Sequence, residues 1–201
     1  MTKRKLLELG GIVAGIVLIA FGAAALVMSV NGLGTVSDNL KQEQIYFGNA
    51  AEDEAVPTKY SEQLVDNGTK ARAFAQVMRT HTLEGAAGLT YAQMGRFVAA
   101  SNPEDPAGTS DPEAALIDEK TGSPVSNPAR NTWVTETALT TALNLAYTAE
   151  RISLFGMVVG IALLLSGIGF MVLAIGGALR HAWSTAQAKQ AGPAVTPIPT
   201  T

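Results

Sequence analysis

The chain holds few residues of the kinds that do chemistry. His81 and His181 are its two imidazoles, and there is no cysteine. A thiolate nucleophile, a thiolate metal site and a disulfide framework are therefore excluded. Glu52-Asp53-Glu54 is the densest acidic cluster. Contiguous carboxylates attract cations, but calcium loops space their oxygen ligands around a turn glycine, and that pattern is missing here. The triplet reads as a solvated loop. Glu104-Asp105 lies in proline-rich sequence, which is poor ground for the fixed separation that general acid–base chemistry needs. No P-loop, GxSxG or HExxH motif occurs. No residue is assigned as catalytic, cofactor-binding or metal-ligating, and no cofactor is expected.

The elements that carry these residues are dominated by two apolar runs. Leu154–Leu179 extends for 26 residues without a charge. As a helix it would be roughly 39 Å long, enough to cross a hydrocarbon core of ~30 Å with some tilt. Leu9–Val30 has the same character. Ala23 and Ala25 would suit a signal-peptidase site, but the apolar run outlasts a usual signal-peptide core, so an uncleaved helix is expected. The two runs explain why charged residues make up 15% of the chain, below the ~25% of soluble domains.

Charge orients these runs. Lys3, Arg4 and Lys5 precede the first, and Arg180 and Lys189 follow the second. Between Asp38 and Glu150 there are sixteen acids and eight bases, a net of −8. Basic flanks mark the cytoplasmic side of a membrane. The expected layout is therefore a cytoplasmic N-terminus (1–8), transmembrane helix 1 (9–30), an extracytoplasmic domain (31–153), transmembrane helix 2 (154–179) and a cytoplasmic, disordered tail (180–201). The acidic exterior argues against nucleic acid as a partner. This layout places His81 outside and His181 inside, so the two cannot share a metal. The apolar runs hold no ionisable residue of the kind that builds ion pathways.

Small residues recur in both runs. Gly11, Gly15 and Gly22 fall on one helical face, and Gly156, Gly160 and Gly167 repeat their spacing. Such stripes let helix backbones approach closely in lipid, here between the two helices or against a partner subunit. Tyr147 and Arg151 on one side, and Arg180 and Trp183 on the other, suit the membrane interfaces.

The middle region reads as mostly helical. Asn31–Thr35, NGLGT, is a glycine-bearing exit from the first helix, with helix-compatible residues after it. Ile45-Tyr46-Phe47 is a short strand or a wedge into the core. Asp66-Asn67-Gly68 marks a turn, and Thr69–Leu83 a helix that Gly85–Gly88 ends. Thr90-Tyr91-Ala92-Gln93 matches a capping box, from which a short helix to about Ala100 is expected. Residues 101–130 form a proline-rich insert with one small hairpin around Glu119–Gly122. Asn127-Pro128 opens a continuous helix to Leu179.

The order GTVSDNLKQEQI, KARAFAQVMRTHTLE, TYAQM and NPARNTWVTETALTTALNLAYTAERISLFGMVVGIALLLSGIGFMVLAIGGAL resembles a family of uncharacterised two-transmembrane-helix membrane proteins of actinobacteria. The resemblance covers most of residues 1–180 outside 102–125. It implies an integral membrane protein facing the exterior. Members often bear the label aromatic ring-opening dioxygenase, which no motif above supports. The expected fold is mainly α, a two-pass transmembrane helical hairpin with a small, mostly helical extracytoplasmic domain. The expected function is non-enzymatic, as an accessory or scaffolding subunit whose partners are the lipid bilayer and other membrane subunits or a second copy. The alternative is an extracytoplasmic ligand-binding or sensor module that signals through a partner, because few residues follow the second helix.

Overall fold

The computed structural model describes the backbone of residues 3–190 and the side chains of residues 6–177. Three α-helices account for most of it: α1 (Lys3–Gln42), α2 (Gly68–Gly85) and α3 (Pro128–Gln190). Short 3₁₀ turns lie at Thr58–Tyr60, Tyr91–Gln93 and Pro112–Ala114. The described residues include isolated β-bridges but no strand. The chain divides into two compact units. One is made of the described residues up to Val30 and from Leu154 onward, the other of Asn31–Ser153.

In the first unit, segments of α1 and α3 run antiparallel. Gly11 faces Ala174, Gly15 faces Gly167, Gly22 faces Gly160, and Ser29 faces Gly156. Both helices are long and apolar enough to cross a membrane, with a mean hydropathy of 2.6 over their most apolar stretches.

Asn31–Ser153 has its own core. Leu40, Phe47, Val65, Ala71 and Leu143 are buried together. Phe47 stacks on Tyr60 with ring centroids 5.3 Å apart and meets Phe74 edge-on at 5.4 Å. The wedge at Ile45–Phe47 is tied down by two backbone bonds, Phe47 N–H to Gln63 O and Val65 N–H to Ile45 O. A smaller cluster gathers Ala86, Met94 and Trp133.

Local sequence explains the ends of α2. Asn67 is its N-cap and accepts from Lys70 N–H at 2.9 Å. At the other end, Gly88 N–H donates to Leu83 O at 2.7 Å and Gly88 takes a φ of +78°, which a glycine adopts without steric cost. At the start of α3, Asn127 Oδ1 accepts from Ala129 N–H at 3.0 Å, and Pro128 occupies a position that has no helical hydrogen bond to lose.

Three expectations need correction. Asn31–Thr35 is not an exit, because α1 continues through it to Gln42. Helical glycine costs about 1 kcal/mol. Here Gly32 leaves the space that Ser153 fills, and Thr35 Oγ1 donates back to Asn31 O. The capping box at Thr90 forms, with Thr90 N–H donating to Gln93 Oε1 at 2.8 Å, but it opens only the three-residue turn Tyr91–Gln93. The chain then extends, since Gly95 N–H donates to Ala107 O and Phe97 exchanges two backbone bonds with Thr109. A Cβ on Gly95 would collide with the Thr109 backbone, so this close approach requires glycine. Finally, α3 continues past Leu179 to Gln190, so the expected disordered tail begins as helix. No proline or glycine interrupts the sequence between Gly177 and Gly192. Residues 191–201 lie outside the described residues.

The insert is ordered around Asn127. Its side chain is buried and donates to Gly95 O and Pro106 O at 3.1 and 2.9 Å. The hairpin expected around Glu119–Gly122 is present as an Ile117–Pro124 bridge closed by Gly122 at φ +67°. Backbone N–H groups of Thr121 and Lys120 donate to Asp118, and they hold its carboxyl below the usual 3.8.

Candidate functional site

The glycine stripes lie against each other within the chain. A Cβ on Gly22 would sit 2.8 Å from Gly160 O and from Leu164 N, and one on Gly15 would sit 2.8 Å from Gly167 O. Gly156 leaves space for Ser29, whose Oγ donates to Ala25 O at 2.7 Å. All six glycines named from the sequence therefore belong to one seam. Large side chains point away from it, with Phe21, Phe155 and Leu173 each about two-thirds exposed or more. Small residues inside and large apolar residues outside is the arrangement a helix pair needs where the surroundings are themselves apolar.

Within Asn31–Ser153, α2 packs antiparallel to α3 along a polar ladder. At one end, Glu150 closes the N-terminus of α2, accepting from Gly68 N–H at 2.7 Å and from Thr69 Oγ1 at 3.0 Å. A carboxylate there satisfies orphan donors and meets the positive end of the helix dipole. In the middle, Tyr147 carries the Arg72 and Arg151 guanidiniums over its ring at 4.7 and 4.9 Å. At the far end, Arg79 Nη1 lies 3.2 Å from Glu136 Oε2, with the same guanidinium over the Trp133 ring at 4.7 Å. Glu136 is 3% exposed, and its Oε1 has no hydrogen-bond partner among the described residues.

A groove of about 840 Å³ opens beside the core of this unit. That size falls in the range of small-molecule sites, ~300–1,000 Å³. Its floor is apolar, with Leu40, Ile45, Phe74 and Met78 meeting Leu143 and Ala146. One edge is polar, formed by Thr35 and Asn39 one turn apart on α1 and by Glu43 in the turn just after its end. Among the described residues, Glu43 is the one ionisable side chain in the lining. The sequence signal for this groove is an excess of apolar residues in α3 ahead of the long apolar run. Leu143 is buried, whereas Leu139 and Leu145 are 51% and 67% exposed. Periodicity alone does not separate those two uses of leucine.

The remaining candidates are placed as follows. Tyr147 and Arg151 touch each other, while the side chains of Arg180 and Trp183, like that of His181, lie outside the described residues. The acidic triplet is a loop of short turns, in which Asp53 Oδ1 accepts from Ala55 N–H. Asp53 Oδ2 lies 3.0 Å from His81 Nε2, and that hydrogen bond holds the Asp53 carboxyl below its usual 3.8. Among the described residues, no group of three or more His, Asp or Glu is gathered as metal ligands are.

The chain matches no protein-family model, no curated protein and no solved structure.

Proposed function

We propose that this chain is a two-pass integral membrane protein of the cell membrane and a non-enzymatic accessory or scaffolding subunit of a membrane complex. In this reading the glycine seam joins two transmembrane helices, residues 31–153 stand outside the cytoplasm, and both termini lie in it. The charge distribution supports the orientation. The resemblance to two-helix actinobacterial membrane proteins agrees with it. Because the small faces are used within the chain, contact with another subunit falls to other surfaces.

The observation that carries the subunit reading is an exposed stripe on α3. Val134, Leu145 and Ile152 are 52%, 67% and 66% exposed, and their spacings of eleven and seven put them on one helical face. Large apolar side chains aligned on an otherwise acidic domain mark a contact surface. The test is recovery of partners from mild detergent with tagged full-length protein. A reproducible, stoichiometric set of membrane proteins, reduced severalfold by Val134→Glu with Ile152→Glu, supports the proposal. Recovery of the protein alone would refute it.

A second reading, an extracytoplasmic ligand-binding module, is favoured by the groove beside Leu143. It requires the same topology but a small-molecule occupant.

A further inference from the structure

We propose that the groove holds an acyl chain of a membrane lipid whose headgroup is zwitterionic rather than anionic. This inference rests on the membrane reading above and gives the second reading its ligand class. The floor offers Phe74, Met78, Leu143 and Ala146 to an occupant and no hydrogen-bonding side chain. A group that needs polar partners would lose them on entering, whereas a hydrocarbon chain loses nothing. The floor also lacks the Trp, Tyr and Arg side chains that anchor protein partners.

The polar edge specifies the other end of the occupant. Thr35, Asn39 and Glu43 form a ladder of hydroxyl, amide and carboxylate along one wall. The carboxylate repels a headgroup whose net charge is negative and attracts one whose phosphate is balanced by an ammonium. An ethanolamine headgroup supplies that ammonium, and its three N–H donors suit the acceptors of the ladder. The supply of lipid follows from the sequence. Thr35 comes five residues after Val30, and Ala149 five residues before Leu154, so both walls adjoin the apolar runs along the chain.

The test places the full-length protein in vesicles of phosphatidylethanolamine and phosphatidylcholine. A fraction of the phosphatidylethanolamine carries a photoreactive diazirine near the end of one acyl chain. After irradiation, label is expected on peptides bearing Phe74–Met78 and Leu139–Ala149, as well as on the apolar runs. Ala146→Trp fills the floor and should lower the groove label about tenfold while sparing the runs, a loss worth ~1.4 kcal/mol of affinity. Glu43→Lys, on the rim, should transfer the preference to a phosphatidylglycerol probe. Label confined to residues 6–30 and 154–177, or groove label indifferent to both substitutions, would overturn the lipid site and leave the membrane reading standing. Release of the protein from membranes by alkaline carbonate would overturn the membrane reading itself, and this inference with it.

Discussion

Arg79 of α2 closes on Glu136 of α3, with Nη1 3.2 Å from Oε2, and it does so from the edge of the domain: the guanidinium is 38% exposed, the carboxylate 3%. The charge that cannot reach water is thus held by one that can. Because the same guanidinium lies over Trp133, one side chain ties the polar ladder to the smaller apolar cluster.

Removing Arg79 leaves a buried carboxylate without its counter-charge. Breaking such a pair from one side costs on the order of 3 kcal/mol. Arg79→Ala should lower the thermal unfolding midpoint of the detergent-solubilised protein clearly, whereas Glu136→Gln should cost much less, since it removes the charge that needs a partner. Arg79→Lys should fall between them, keeping the charge and losing the planar contact with Trp133. Equal stability of Arg79→Ala and wild type would count against the pair.

The seam makes a contrast between glycines. A side chain on Gly22 meets the Gly160 backbone, whereas one on Gly176 has nothing within 4 Å. Gly22→Leu should destabilise the helix pair by about 2 kcal/mol through overpacking. Gly176→Ala should be neutral or slightly stabilising, because alanine is the better helix former. Circular dichroism melts in detergent separate the two outcomes.

Glu150 caps α2 from a distant part of the sequence. Glu150→Ala should cost about 1–2 kcal/mol, the range for losing a capping acceptor. Amide exchange should quicken first at the start of α2, around Gly68–Lys70. Slow exchange there in the variant would show that Asn67 suffices alone.

The Asp53–His81 contact has a defined pH sense. The Asp53 carboxyl is held below 3.8 chiefly by the hydrogen bond to His81. A depressed carboxylate contributes its stabilisation fully above its unfolded value and loses it as pH falls through the folded one. The contribution of this contact should therefore be present above the ordinary carboxylate range and fade as pH falls below it. In His81→Ala, the Asp53 midpoint seen by carbon NMR should rise toward 3.8. An unchanged midpoint would contradict the hydrogen bond.

What the sequence made legible is what short stretches determine. Asn67, Gly88 and Asn127-Pro128 punctuate helices through groups a few residues away, and the glycine spacing of each apolar run is a property of that run. Where distant segments decide, local signals misled. Gly32 reads as a break until Ser153 is seen beside it. The Thr90 box reads as the start of a helix until Gly95 is drawn against Thr109. Arg79 and Glu136 are two unremarkable charges in their own segments, and nothing near either announces the other. The groove was hidden for a related reason: Leu139, Leu143 and Leu145 look alike in a periodic pattern, and only the fold assigns one to the core and leaves two uncovered.

The topology is open to one direct measurement. Because the chain has no cysteine, each engineered thiol reports alone. Ser110 is exposed in the insert, and Ser110→Cys places a thiol in residues 31–153. Thr201→Cys places one beyond the second apolar run. In intact cells a membrane-impermeant maleimide should label Ser110→Cys fully and leave Thr201→Cys unlabelled until the membrane is permeabilised. Labelling of Thr201→Cys alone in intact cells, or of neither variant before permeabilisation, would contradict a two-pass protein with its middle domain outside.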